Sequence, residues 1–253
     1  MLRLEQLARS FGGVYATDDV SMTVPEGELR GVIGPNGAGK STLFALVSGH
    51  LRPQRGRILL AGERIERLPP HLRARRGVAI AFQGARVFGD MTVLENVAVG
   101  AHARTRAGAV SAILRLRRHW REEREIFAAA HGALERVGLA DWAHHRADAL
   151  PLGQQRRMQV ARGLVGRPRL LLLDEPASGL RATERRELSE LIRELHAEGM
   201  TVLLIEHDVA MVTSLADRIT VLDLGRVIAE GTPHHIRHDP AVIAAYLGQE
   251  GAA

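Results

Sequence analysis

The sequence of 253 residues contains no cysteine, and its only lysine is Lys40. The absence of cysteine excludes a disulfide framework and thiol chemistry, and it leaves the redox compartment undetermined. No apolar run approaches the roughly 18 residues of a membrane-spanning helix. The first ten residues, MLRLEQLARS, carry charges throughout and lack the apolar core of a signal peptide. We therefore expect a soluble, cytoplasmic protein.

The charge balance is positive, with 34 Lys and Arg against 29 Asp and Glu and a net charge of +5. Such a balance is compatible with nucleic acid, with an anionic membrane surface, or with an arginine-rich solvated surface. Hydrophobic residues make up 45% of the chain, which is ample for a core. The length suits one large domain or one domain with an inserted lobe.

The most informative stretch is GPNGAGKST, residues 34–42, which stands between the apolar runs 29–33 and 43–47. This order of strand, glycine loop and helix matches the phosphate-binding pattern G-x-x-x-x-G-K-S. Glycine permits backbone angles that turn N–H groups towards a phosphate, and the positive end of the following helix reinforces the attraction. The predicted nucleotide-binding residues of the loop are Gly34, Pro35, Asn36, Gly37, Ala38, Gly39, Lys40, Ser41 and Thr42.

Lys40 and Ser41 have separate predicted roles in this loop. Lys40 is expected to reach the β- and γ-phosphates, and the Ser41 hydroxyl to complete the shell of a Mg²⁺ ion. The position of Lys40 is one where a compact ammonium fits better than a planar guanidinium.

Charged residues follow two further apolar runs. Residues 170–173 are four leucines, followed by Asp174 and Glu175. A continuous apolar run favours a strand buried on both faces of a parallel sheet, and ligands bind at the carboxyl edge of such a sheet. We predict that Asp174 holds Mg²⁺ and that Glu175 polarises an attacking water. His207 follows the run 201–205, where the γ-phosphate would lie.

Other segments complete a mixed α/β pattern. Short strands are predicted for residues 2–7, 20–24, 56–60 and 78–82, and a hairpin for residues 218–230 around Gly225. Thr92 and Glu95 form a predicted capping box, and apolar residues then recur at three- and four-residue steps to Val137. We read residues 91–165 as an inserted helical lobe. Its arginines and glutamates form either a solvated face or a membrane contact.

Together these motifs resemble the ATP-binding-cassette (ABC) ATPases over the whole chain. The resemblance implies an α/β fold: a P-loop NTPase, RecA-like core with an antiparallel β subdomain and an inserted α-helical subdomain. It implies one nucleotide-binding domain, residues 1–253, in which 1–90 and 166–253 form the core with the β subdomain and 91–165 the helical subdomain. The implied ligands are ATP and Mg²⁺.

The resemblance also implies roles for particular residues. Residues 34–42 are the Walker A loop, residues 170–174 are Walker B, and Glu175 is in the catalytic position. Gln83 matches the Q-loop, a catalytic and Mg²⁺-binding position, and His207 matches the switch histidine. Phe11, in the loop between the first two strands, matches the aromatic that stacks on adenine. The signature segment, residues 150–154, includes the implied nucleotide contacts Gly153 and Gln154.

More narrowly, the chain resembles the Liv-type subunits that energise uptake of branched-chain amino acids. The resemblance rests on FGG near the start, GQQRR at 153–157, IEHD at 205–208, the 100–137 insertion and YLG at 246–248. It implies a second ATPase subunit in a hetero- or homodimer, two transmembrane permease subunits and a periplasmic or extracellular solute-binding protein. No nucleic acid is expected, and the protein would be peripheral on the inner face of the cell membrane. Residues 86–89 would touch the permease.

Two departures and several alternatives remain. The family signature reads Leu-Ser-Gly-Gly-Gln, and Pro151 and Leu152 replace its serine and first glycine. Arg181 stands where the loop after Walker B usually ends in Asp. The alternative functions are uptake of other amino acids, urea or aromatic acids, lipopolysaccharide export, and the role of a soluble non-transport cassette acting on DNA or ribosomes.

Overall fold

The computed structural model describes residues 1–81, 87–104 and 117–250. The prediction for Gln83 and part of the predicted permease contact, Arg86, lie outside the described residues. The strands are β1 Leu2–Phe11, β2 Val14–Val24, β3 Leu29–Ile33, β4 Arg55–Leu60, β5 Glu63–Arg64, β6 Val78–Ala81, β7 Leu170–Asp174, β8 Thr201–Ile205, β9 Arg218–Asp223 and β10 Arg226–Gly231. The α-helices are α1 Lys40–Ser48, α2 Pro70–Arg75, α3 Val93–Ala98, α4 Arg117–Arg136, α5 Leu152–Leu164, α6 Ala182–Ala197, α7 Val209–Leu215, α8 Pro233–Arg237 and α9 Pro240–Glu250.

Six strands form the central sheet, in the order β10-β9-β3-β8-β7-β6. All neighbours pair in parallel except the β9–β10 hairpin, whose antiparallel pairing confirms the prediction for residues 218–230. Strands β3 and β8 are buried at every residue, as expected for central strands of a parallel sheet. In β3 this includes Arg30, whose guanidinium pairs with Glu28 and Glu230. In β7, Leu170 and Leu172 pack into one apolar cluster and Leu171 and Leu173 into the cluster on the opposite face.

Strands β2, β1, β4 and β5 form a second, antiparallel sheet. Strands β1 and β2 are longer than the sequence predicts, and register shifts along their pairing bend the hairpin. Phe11 is the last residue of β1 and pairs with Val14, so the prediction that it lies in a loop is wrong. Gly12 and Gly13, with φ of 55° and 87°, alone make the turn, as two-residue hairpins of this twist require.

Helices α3, α4 and α5 lie between β6 and β7 in the chain. The capping box predicted at Thr92 is confirmed: its hydroxyl accepts from the Glu95 N–H, and the Glu95 carboxylate accepts from the Thr92 N–H. Val97 of α3, Leu134 of α4 and Met158 of α5 are buried in the same cluster as one face of β7. The helical segment therefore shares its core with the sheet.

Among the residues that the structure describes, no helix has both the length and the apolar character needed to span a bilayer.

Arg73 of α2 is fully buried and holds the far end of α1. Its Nη1 donates to the carbonyl oxygens of Leu46 and Val47 at 2.6 and 2.7 Å, and its Nε donates to Leu68 O at 2.9 Å. Burial lowers the pKa of Arg73 to about 10, and the charge of Glu66 opposes that shift. The guanidinium is thus still charged at neutral pH. It satisfies carbonyls that the end of a helix leaves without intrahelical partners.

Replacing Arg73 with methionine should destabilise the protein. Methionine keeps much of the side-chain volume but leaves three buried carbonyl contacts unmade, and we expect a loss of about 2–4 kcal/mol in the free energy of unfolding. Urea denaturation measures the change. Arg75→Met, on the exposed side of the same helix, is the matched control. Equal stability of Arg73→Met and Arg75→Met would contradict the assignment of Arg73 as a clamp on α1.

Candidate functional site

The glycine loop joins β3 to α1 and is wedged between two other strands. A Cβ on Gly34 would lie 2.1 Å from Leu222 O in β9, and one on Gly39 would lie 2.1 Å from Ala16 O in β2. Gly34 and Gly39 also have φ of 154° and 100°, which L side chains rarely adopt. Only glycine fits these two positions, so both sheets determine the shape of the loop.

The remaining loop residues divide by exposure. Asn36, Gly37 and Ser41 are exposed, whereas Pro35 and Ala38 are buried. Thr42, in the first turn of α1, is partly exposed. The tip of the loop and the Ser41 hydroxyl are therefore open to a ligand.

Lys40 lies inside the loop. It is 7% exposed, and its Nζ donates to Gly34 O at 2.7 Å and to Pro35 O at 2.9 Å. Burial lowers the pKa of Lys40, while the charges of Glu175 and Asp174 act in the opposite direction. The ammonium thus lies within electrostatic reach of both predicted site carboxylates.

Carboxylates converge at the carboxyl ends of β7 and β8. Burial raises the pKa of Asp174 to about 6, with further contributions from the charges of Glu175 and Glu206, while Lys40 lowers it. Burial also raises the pKa of Glu206. Asp174 and Glu206, whose pKa values are raised, lie beside Glu175, and a cation would stabilise this group of acids.

Glu175 has a strained backbone. Its φ is 45°, the left-handed region that non-glycine residues seldom occupy, and its N–H donates to Ile205 O at 2.8 Å. Such conformations cluster at functional sites, where the surrounding structure holds them in place. Its Oε2 lies 3.9 Å from Nδ1 of His207. The structure thus brings together four of the predicted site residues, Lys40, Asp174, Glu175 and His207.

Glu206 is a member of this cluster for which no role was predicted. It is 0% exposed, and its Oε1 accepts from the Ala177 N–H at 2.9 Å. The sequence could have indicated a role for Glu206 through its position. It directly follows an apolar strand that is parallel to the one ending at Asp174.

The predicted signature segment lies at the start of α5. Pro151 is the N-cap residue and offers no side-chain cap. Instead Glu184 of α6 spans two helix starts: its Oε1 accepts from the Gly153 N–H at 3.3 Å, and its Oε2 accepts from the Arg181 N–H at 2.9 Å. Leu152 is 40% exposed. The Gly153 N–H, which was expected to face a nucleotide, thus donates to a carboxylate of the same chain.

Gln154 and Phe11 are two predicted nucleotide contacts outside the glycine loop and the carboxylate cluster. Within the described ranges, Oε1 of Gln154 is buried and has no hydrogen-bond partner. Phe11 is 47% exposed, and the guanidinium carbon of Arg9 lies 5.1 Å from the centroid of its ring. A base could stack only on the face of the ring that Arg9 leaves open.

The residues present fit a nucleotide with Mg²⁺. The loop offers N–H groups and an ammonium, and Asp174 and Ser41 offer the oxygen ligands that Mg²⁺ prefers. Within the described part of the chain, no three His, Cys, Asp or Glu side chains could hold a metal by themselves. Phosphate oxygens would therefore have to supply further ligands, as is usual for Mg²⁺.

Comparison with known proteins reveals full-length relatives. The chain is 43% identical over 250 residues to the high-affinity branched-chain amino acid transport ATP-binding protein BraF of Pseudomonas aeruginosa, covering 98% of each chain. It has the same identity and coverage with LivG of Salmonella typhimurium, which has the same description. The lipopolysaccharide export system ATP-binding protein LptB of Haemophilus influenzae is 33% identical over 99% of this chain and 98% of its own. The expected resemblance to the Liv-type proteins is confirmed.

Solved structures and family models give the same result. A nucleotide-free ATP-binding cassette from an ABC transporter superposes with a TM-score of 0.85 at 30% identity, covering 97% of this chain and 98% of the other. The expected α/β fold, a P-loop NTPase core, is thereby confirmed. Residues 17–178 match the ABC transporter family model, and residues 226–252 match that of the branched-chain amino acid ATP-binding cassette transporter. The chain therefore belongs to the ABC transporter family, as one of its ATP-binding proteins.

Proposed function

We propose that this chain is the ATP-hydrolysing subunit of an importer for branched-chain amino acids. The observation that carries the proposal is its full-length similarity to two proteins of branched-chain amino acid transport, at 43% identity. The match of residues 226–252 to the branched-chain family model supports the same reading. The lipopolysaccharide exporter's subunit is less similar, at 33% identity.

The proposed partners follow from the same similarity. They are a second ATPase subunit, two transmembrane permease subunits and a solute-binding protein outside the membrane. The chain would then be peripheral on the inner face of the membrane. We also propose the domain division of residues 1–90 and 166–253 as the core and 91–165 as the helical subdomain.

In the proposed mechanism the loop residues 34–42 hold the phosphates of ATP, and Lys40 transfers its hydrogen bonds from Gly34 O and Pro35 O to phosphate oxygens. Glu175 accepts a proton from the attacking water, and His207 contacts the γ-phosphate. The carboxylate of Asp174, the Ser41 hydroxyl and Gln83 would hold Mg²⁺. This ion, when bound, neutralises charge that develops on the phosphates. Phe11 stacks on the base.

The signature segment is proposed to act on the nucleotide of the second subunit. Gly153 and Gln154 are at the start of α5, where helix N–H groups point outwards and attract anions. The carboxylate of Glu184 would have to release the Gly153 N–H before a phosphate could use it. Closure of two subunits around ATP, and their reopening after hydrolysis, would move the permease through alternating access.

Uptake by cells tests the transported solute. Cells that lack this gene should lose ATP-dependent uptake of labelled leucine, isoleucine and valine, and the wild-type gene should restore it. The Lys40→Ala gene is the control for expression without nucleotide binding. Unchanged uptake of all three amino acids in the deletion strain, with loss of another solute's uptake, would assign the chain to a different importer.

Glu175→Gln should bind ATP normally but stop turnover, because the amide preserves the shape of the side chain and cannot act as a base. In the assembled transporter we expect the steady-state rate to fall at least a hundredfold, within the range that general-base catalysis contributes. The ATP dissociation constant should change less than threefold. Glu190→Gln, an exposed position on α6, is the matched control. Rapid hydrolysis by Glu175→Gln would exclude Glu175 as the main catalytic carboxylate.

Pro151→Ser should raise turnover at the site that this signature faces. Proline has neither a hydroxyl nor a backbone N–H, and a hydrogen bond to a charged group is worth about 1.5–3 kcal/mol. We therefore expect two unequal ATP sites in the wild-type pair and a several-fold gain on adding serine. Because Leu152 could crowd the phosphate, the double variant with Leu152→Gly should be measured too. If neither variant changes ATPase activity or nucleotide affinity, the backbone donors suffice.

A further inference from the structure

Glu206 is fully buried and takes no part in the mechanism proposed above. Of the carboxylates in the ranges that the structure covers, it alone is 0% exposed. Burial of a carboxylate costs several kcal/mol unless hydrogen bonds or opposite charges compensate for the lost water. The partners of Glu206 therefore indicate what this carboxylate holds in place.

Both oxygens of Glu206 accept from backbone N–H groups of different segments. Oε1 accepts from Ala177 at 2.9 Å, and Oε2 accepts from His207 at 3.2 Å. The same Oε2 also lies 3.5 Å from Nδ1 of the His207 ring. One side chain thus connects the segment after β7 to both the backbone and the ring of the switch histidine.

The segment after β7 is a compact turn that leads towards α6. Ser178 N–H donates to Glu175 O, and Leu180 N–H donates to Ala177 O, both at 3.1 Å. Glu175 itself is therefore part of this turn. Any movement of Ala177 relative to β8 would disturb the catalytic carboxylate and the hydrogen bond to Glu206 together.

The signature helix also reaches this turn. Nη2 of Arg156, on α5, donates to Ser178 O at 3.4 Å. Burial lowers the pKa of Arg156, and the charge of Glu206 opposes that shift, which shows that the two charges are close enough to interact. Glu206 therefore lies where β8, the turn after β7 and α5 meet.

We propose that Glu206 is a positioning residue for ATP hydrolysis: its two carboxylate oxygens hold His207 and the Ala177 turn in one fixed relation. His207 then faces the γ-phosphate only while the turn that carries Glu175 is in place. Glu206 acts through His207 and does not touch the nucleotide. The inference rests on ATP hydrolysis by this chain and on no particular transported solute. A failure of the importer assignment would therefore leave it unaffected.

Glu206→Gln in the assembled transporter tests the proposal. Glutamine has one acceptor oxygen, and its NH₂ group would face one of the two backbone donors, so only one of the two contacts can survive. We expect kcat to fall about tenfold or more, while KM for ATP and the nucleotide affinity of the subunit change less than threefold. A purely structural loss would instead lower the melting temperature and nucleotide affinity together with activity. A kcat within twofold of wild type would overturn the proposal.

Glu66→Gln is the matched control, because Glu66 is also a buried carboxylate, 7% exposed, and accepts from Arg64 at 2.6 and 2.9 Å. It lies outside the catalytic cluster, so its kcat should equal that of wild type. If Glu206→Gln does not fold, Glu206→Asp provides the second variant. Its charge is kept, but its shorter side chain cannot span both donors, and the same fall in kcat is expected.

A double-mutant cycle of Glu206→Gln with His207→Ala distinguishes positioning of His207 by Glu206 from an effect of Glu206 on hydrolysis that does not involve the histidine. If Glu206 acts through His207, the double variant should lose no more single-turnover rate than His207→Ala alone. Losses that multiply would show that Glu206 acts independently of the histidine and would overturn the proposal.

Discussion

The site depends on three carboxylates that converge at the carboxyl edge of one parallel sheet, opposite a single ammonium. Asp174 ends β7, Glu175 follows it and Glu206 follows β8; burial and the charges of the other two acids raise the pKa of Asp174, and burial raises that of Glu206. Lys40 offsets part of this charge from inside the glycine loop. In the free protein the arrangement is electrostatically costly, and binding of a cation would relieve it. The same costly arrangement prepares the site for its ligand.

The loop can present Lys40 in this way because other parts of the fold confine it. Strand β9 and strand β2 leave no space for a side chain at Gly34 and Gly39. At the opposite end of α1, Arg73 holds the last carbonyls of the helix. Helix α1, which follows the glycine loop, is thus held at both ends by segments that are distant in sequence.

The central strands were predictable because they are short, largely apolar runs, and those of β7 and β8 lead directly into charged residues. Residues 29–33 and 201–205 form strands with these bounds, and the acids after residue 173 lie at the expected edge. The capping box at Thr92 was predictable because it is a local pattern of two residues. The roles of the individual site residues stay predictions, and Gln83 lies outside the described residues.

What could not be predicted depends on contacts between distant residues. The three partners of Arg73 lie five to 27 positions away, and no local pattern marks this arginine among its many neighbours of the same type. Glu206 and Ala177 are 29 positions apart, and Glu184 and Gly153 are 31 apart. The location of Phe11 was mispredicted because two glycines suggested a longer loop, whereas they form a tight turn.

The single lysine gives the protein an unusual chemical property. Apart from the N-terminal amine, Lys40 carries the only primary amine of the chain, and it lies at the nucleotide loop. Its pKa is lowered by burial, and its Nζ donates to the carbonyl oxygens of Gly34 and Pro35. Acylating reagents and amine-directed cross-linkers would therefore modify the side chains of this protein at its functional site or nowhere. Occupancy of that site could be followed by the protection of one amine.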